Sequence, residues 1–142
     1  MELLMDDGGL ARFQKRMRAI PKAVRASVQP ALVKGAEEIA GMARHLAPEE
    51  TGALKGSIAV TGPNQATPPY SQPGGSMTVG ENQAAVTVGD TAVRYAHLVE
   101  YGTRRTPAHP FFWPAFRLMR KRATNRIKRA VSKAVRDNWG RP

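Results

Sequence analysis

The sequence predicts an α+β fold in which a long N-terminal helix and a C-terminal helix pack on a small antiparallel sheet carrying a Pro/Gly-rich arm. Three observations predict it. Apolar residues recur at spacings of three and four near both ends of the chain, short β-branched runs occupy the middle, and a proline- and glycine-rich stretch interrupts those runs. The 142 residues read as one domain, with a helical part over 10–46, a sheet over 56–90 holding a flexible arm at 62–75, a motif helix and loop over 94–112, and a terminal helix over 113–138.

Leu10, Phe13, Met17 and Ile20 mark a first short amphipathic helix, which Pro21 ends while opening the next. Val24, Val28, Leu32 or Ala31, Ile39, Ala43 and Leu46 carry the period on to Ala47-Pro48, a helix of about 39 Å. Pro30 lies inside it, and a kink there is preferred to a break. Residues 51–57 (Thr-Gly-Ala-Leu-Lys-Gly-Ser) read as a capped turn, followed by a short strand, Ile58-Ala59-Val60-Thr61. Residues 62–75 contain four prolines, three glycines and a lone Tyr70, so they read as an exposed arm, disordered until a partner orders it. Met77-Thr78-Val79 and Ala85-Val86-Thr87-Val88, separated by Gly80-Glu81-Asn82-Gln83, carry hairpin chemistry.

Helical spacing returns at residues 95–101 and stops at Gly102. After a proline-bounded loop, Phe112, Phe116, Met119, Ala123, Ile127, Ala130 and Ala134 form the stripe of a terminal helix, with Pro114 in its first turn. No internal repeat is present, which argues against solenoids and propellers.

The formal charge is +11, from 22 Lys and Arg against 11 Asp and Glu. Ten of the basic residues fall between Arg117 and Arg141 with a single acid, Asp137, so an anionic partner is expected for the terminal helix. Its candidate DNA-facing residues are Arg120, Lys121, Arg122, Arg126, Lys128, Arg129 and Lys133; they line such a surface or keep an Ala-rich helix in solution. No helix-turn-helix, zinc-finger or aromatic RNA-binding pattern accompanies the charge, which argues against base-specific reading. No apolar run reaches the roughly 20 residues of a membrane span, and the acidic opening Met1-Glu2-Leu3-Leu4-Met5-Asp6-Asp7 is unlike a signal n-region, so a soluble chain without membrane partners is expected.

Zero cysteines exclude disulfides, thiol nucleophiles and cysteine-held metals. The serines lack a Gly-x-Ser-x-Gly elbow, and neither a Gly-x-x-x-x-Gly-Lys-Ser/Thr loop nor a Gly-x-Gly-x-x-Gly fingerprint occurs. Glu37-Glu38 and Glu49-Glu50 are adjacent pairs, which a helix points about 100° apart. His97 and Glu100, three apart, with His109 nearby, have the residue types of a two-histidine, one-carboxylate site, but packing and ion pairing are the ordinary reading. The chain is not expected to be an enzyme or to hold a cofactor or metal.

Two motifs stand apart. One is Arg94-Tyr95-Ala96-His97-Leu98-Val99-Glu100-Tyr101-Gly102-Thr103, followed by Pro107-Ala108-His109-Pro110-Phe111-Phe112-Trp113-Pro114-Ala115-Phe116; the other is Ala47-Pro48, Thr51-Gly52-Ala53-Leu54 and Ser57-Ile58. Together they resemble the neck proteins of long-tailed double-stranded DNA phages, also called head-tail joining, tail-completion or minor tail component proteins. In that family a helix ending in Val-Glu-aromatic-Gly-Thr leads through a proline-bounded loop into a long helix opening with Pro-Phe.

The resemblance covers residues 10–136. It implies a structural virion protein at the head-tail junction of a phage, prophage or gene transfer agent, assembled in the bacterial host cytoplasm. There a homo-oligomeric ring, six copies by the resemblance, would sit between portal or connector and tail tube, with DNA passing through it. Implied partners are other copies, a head-completion or connector protein, and a tail-terminator or tail-tube protein. The alternatives are a sequence-independent nucleic-acid-binding protein, or the tail terminator of the same particle. Interface candidates are Tyr70, Arg94, Tyr95, Glu100, Tyr101, Gly102, Arg104, Arg105, His109 and Trp113, with Glu100 expected to pair with Arg104 or Arg105, between subunits or within the chain.

Overall fold

The computed structural model describes residues 11, 12, 15, 22–48 and 52–139. Of the short helix expected over residues 10–20, only residues 11, 12 and 15 are described, and they are helical. From residue 22 on, the described residues form α1 (Lys22–Leu46), α2 (Ala53–Gly56), β1 (Ala59–Thr61), β2 (Ala85–Thr87), α3 (Ala96–Tyr101) and α4 (Phe112–Trp139). The class is α+β, as the residue spacing predicts.

α1 buries Val28, Leu32, Ala36, Ile39, Ala40 and Ala43, which recur at the helical period and form one stripe. Leu32, not Ala31, takes the core position, and Ala47 is buried where Leu46 stays 38% exposed. The helix runs unbroken through Pro30, which sits on the solvent side, where water can satisfy the carbonyl that proline leaves without a donor.

α4 presents Phe112, Ala115, Ala123, Ile127 and Ala134 to the same core, flanked by the partly buried Phe116, Met119 and Val131. The two long helices pack along each other. Alanines at both surfaces favour close approach of the two backbones. Phe111, just ahead of α4, is fully buried. A polar clamp reinforces the packing: Glu38 on α1 receives Arg122 at 2.7 Å and Arg126 at 2.5 Å from α4.

The sheet differs from the expected hairpin. β1 and β2 pair antiparallel in the register Ala59↔Thr87, Val60↔Val86 and Thr61↔Ala85. Residues 77–79 do not pair with residues 85–88; Thr78 instead bridges Ala66, and the amide of Val79 donates to Gln65 O at 2.8 Å. The Gly80 to Gln83 turn forms, but it redirects the chain between two different partners rather than joining two strands of one hairpin.

Residues 62–75 are likewise more tightly tied than an exposed arm would be. Thr67 and Ser71 are buried, and Gln72 exchanges backbone hydrogen bonds with Val88 at 2.8 and 3.1 Å. Thr67 Oγ1 accepts from the amide of Met77 at 2.8 Å and donates to Gly75 O at 3.2 Å. Proline and glycine do prevent regular structure here; they do not prevent anchoring, because hydroxyls and a few backbone groups pin the loop to the sheet. Tyr70 remains 55% exposed at its tip, with φ of 60°.

Candidate assembly surface

Glu100 governs the geometry of the motif region. It lies on α3 and is only 7% exposed, and its Oε1 accepts from the amides of Phe111 at 3.0 Å and Phe112 at 2.9 Å. Its Oε2 faces the amide of Trp113 at 3.3 Å. These are among the N–H groups that the first turn of a helix leaves without partners. A carboxylate from a different helix therefore caps α4, favoured by the positive end of the helix dipole. Within the chain the expected pair with Arg104 or Arg105 is not made: the carboxylate is turned inward onto three amides, while both arginines are exposed. No metal-holding cluster occurs among the described residues.

Gly102 ends α3 with φ of 78° and donates its amide to Leu98 O at 2.8 Å. A Cβ at this position would sit 2.7 Å from Ala108 N and 3.1 Å from Thr106 O, so only glycine lets the loop fold back. That loop is shaped locally. Thr103 Oγ1 accepts from the amides of Arg105 and Thr106, and the amide of His109 donates to Val99 O at 2.8 Å. Residues 103–110 are all exposed, with Arg104, Arg105 and His109 displayed on this fixed frame.

Other interface candidates pair with one another around α3. Arg94 stacks its guanidinium 3.8 Å over the Tyr70 ring, which brings the 62–75 loop to the start of α3. Tyr101 accepts a 2.7 Å hydrogen bond from Trp113 Nε1. A cavity of about 60 Å³ beneath them is lined by Pro73, Val88, His97, Tyr101, Phe112 and Trp113, so the loop, the sheet and both helices meet there. Edge-to-face contacts continue through Phe111, Phe112, Trp113 and Phe116. Leu98, absent from the sequence-derived candidates, is 44% exposed between Tyr95 at 39% and Tyr101 at 68%. The 95, 98, 101 spacing is the signal that identifies it.

The basic residues of α4 divide into two groups. Arg122 and Arg126 are engaged with Glu38, while Arg120 lies 5.9 Å from the Phe116 ring centre. Lys121, Lys128, Arg129 and Lys133 are exposed, as is Arg117, which the candidate set lacked. No helix among the described residues is long and apolar enough to cross a membrane.

No curated protein and no solved structure matches the chain. A family model does, described as "Bacteriophage HK97-gp10, putative tail-component", over residues 11–102. The match takes in the Ala-Pro and Thr-Gly-x-Leu motif, the sheet, the 62–75 loop and α3 through Gly102, and it leaves the basic helix α4 outside. With more than half of its length matched, the chain belongs to the HK97-gp10-like family of bacteriophage tail components.

Proposed function

We propose that this tail component is a structural protein of the head-tail junction, assembling as a homo-oligomeric ring between portal or connector and tail tube. The observation that carries the reading is the surface of α3: aromatic side chains stand exposed on a frame fixed by Glu100 and Gly102, and a packed subunit has no use for them at that position. Its mechanism is association, with no turnover. Head-completion or connector protein on one side and tail-terminator or tail-tube protein on the other are the partners. Virion location and assembly in the bacterial cytoplasm accompany the reading.

Co-expression with the neighbouring portal, connector and tail-tube proteins, followed by electron microscopy, tests it. Closed rings of this chain at one end of tail tubes are expected. Tubes that complete and join to heads without the chain would overturn the assignment.

A second reading is favoured by α4, whose exposed Lys121, Lys128, Arg129 and Lys133 have no acidic partner among the described residues. They face DNA phosphates, in the ring lumen or as a sequence-independent binding surface. Duplex binding by the isolated chain that weakens by orders of magnitude between about 50 and 200 mM salt is the expected signature of phosphate contacts.

A further inference from the structure

The exposed side of α3 has a definite chemical character. Tyr95, Leu98 and Tyr101 form its apolar stripe, and the Trp113 hydrogen bond holds Tyr101 in place. Around the stripe stand Arg94, His97, Arg104, Arg105 and His109, all exposed. The carboxylates of this region are occupied elsewhere: Glu100 is buried against the amides of α4, and Asp90 Oδ1 accepts from Ala92 and Val93 in its own turn. The surface is therefore aromatic and cationic, and its complement is a short acidic segment with aliphatic side chains.

The chain itself contains such a segment. In Glu2-Leu3-Leu4-Met5-Asp6-Asp7, three acids bracket three consecutive apolar residues. Elsewhere Glu38 is held by two arginines and Glu81 lies 3.9 Å from Arg25. Symmetry favours exchange between copies. A patch-to-patch contact would set Arg94, Arg104 and Arg105 against themselves, in subunits that already repel at +11. A donor-to-acceptor contact avoids that repulsion, and head-to-tail contacts are the kind that close rings.

We propose that residues 2–7 of one copy dock on the Tyr95, Leu98 and Tyr101 surface of the next, Leu3, Leu4 and Met5 covering the stripe while Glu2, Asp6 and Asp7 meet the surrounding arginines. The inference rests on the ring reading and supplies its joint. Six residues bury less than the roughly 1,200 Å² of a stable interface, so one joint is weak and ring closure, through effective concentration, makes the assembly persist.

The test uses full-length chains in sedimentation velocity. A donor-defective chain carries Glu2→Lys, Asp6→Lys and Asp7→Lys; an acceptor-defective chain carries Leu98→Glu. Each alone stays monomeric at concentrations where the unaltered chain assembles, and at concentrations raised far enough to populate a single weak joint an equimolar mixture shifts toward heterodimer and nothing larger, because one intact donor segment meets one intact patch. Independently of any folding defect in Leu98→Glu, the charge swap Arg104→Glu with Arg105→Glu abolishes assembly on its own and restores it in the donor-defective background. Rings formed normally by either defective chain overturn the tail-to-patch joint while leaving the ring reading intact. Loss of assembly in both variants without heterodimer formation or charge-swap rescue also overturns the joint. An unaltered chain that stays monomeric at high concentration, alone and with its tail and connector partners, overturns the ring reading and the joint with it.

Discussion

Glu100 Oε1 and the amide of Phe112 lie 2.9 Å apart, so the first turn of the longest helix is capped by a carboxylate twelve residues upstream on another helix. The contact joins α3, the 103–110 loop and α4 into one unit. It explains why a glutamate belongs in the Val-Glu-aromatic-Gly motif: the residue shapes the surface from beneath and is not displayed on it.

Glu100→Ala is therefore expected to destabilise the fold by about 2 kcal/mol, where an exposed ion pair would be worth only about 0 to 1. Glu100→Gln keeps one acceptor and loses the charge, so about 1 kcal/mol is expected. Urea denaturation of both variants decides; a loss below about 0.5 kcal/mol for the alanine variant contradicts the cap.

Gly102→Ala places a methyl 2.7 Å from Ala108 N in a backbone conformation unfavourable for an L residue. A loss of about 1 to 3 kcal/mol is expected, together with a change in the loop amides of residues 103–109 by NMR. Unmoved loop resonances would show that the close approach does not constrain it.

Glu38→Ala leaves Arg122 and Arg126 facing each other across the α1 and α4 seam. It should cost more than Arg122→Ala, because the Arg122 side chain is 68% exposed and its pair is worth about 0 to 1 kcal/mol. Arg126, 28% exposed, carries the larger coupling, and a double-mutant cycle with Glu38 measures it.

Replacing Lys121, Lys128, Arg129 and Lys133 by glutamine should lower the slope of log K against log salt for duplex DNA by about one unit for every phosphate that α4 no longer neutralises. The same change at Arg126, whose side chain is 28% exposed and held by Glu38, should affect stability more than DNA affinity. An equal loss of slope per residue at Arg126 would show that the Glu38 contact does not withdraw it from the surface.

In the free subunit, the amides of Thr67, Gln72 and Val79 should exchange slowly, because each donates to a backbone carbonyl at 2.8 Å, whereas Arg104 in the exposed loop should exchange fast. Uniformly fast exchange across residues 62–79 would return this segment to a free arm.

Periodicity made part of this protein legible from its residues alone. The stripes Val28 to Ala43 and Phe112 to Ala134 fixed two long helices and their inward faces, Gly102 fixed a stop, and the two motifs fixed the family, since each of these is a local pattern of spacing and residue type. Where the polar groups went was settled by packing. Glu100 reads as a surface acid among arginines until Phe111 to Trp113 arrive beneath it with unpartnered amides. Arg122 and Arg126 read like their neighbours until α1 brings Glu38 against them. Residues 77–79 are β-branched enough for a hairpin, yet Thr78 bridges Ala66 and the Val79 amide donates to Gln65 O, so this run pairs with the 62–75 loop and not with β2. Buried polar groups must find partners wherever packing places them, and partners that lie 11 to 88 positions apart leave no trace in local spacing.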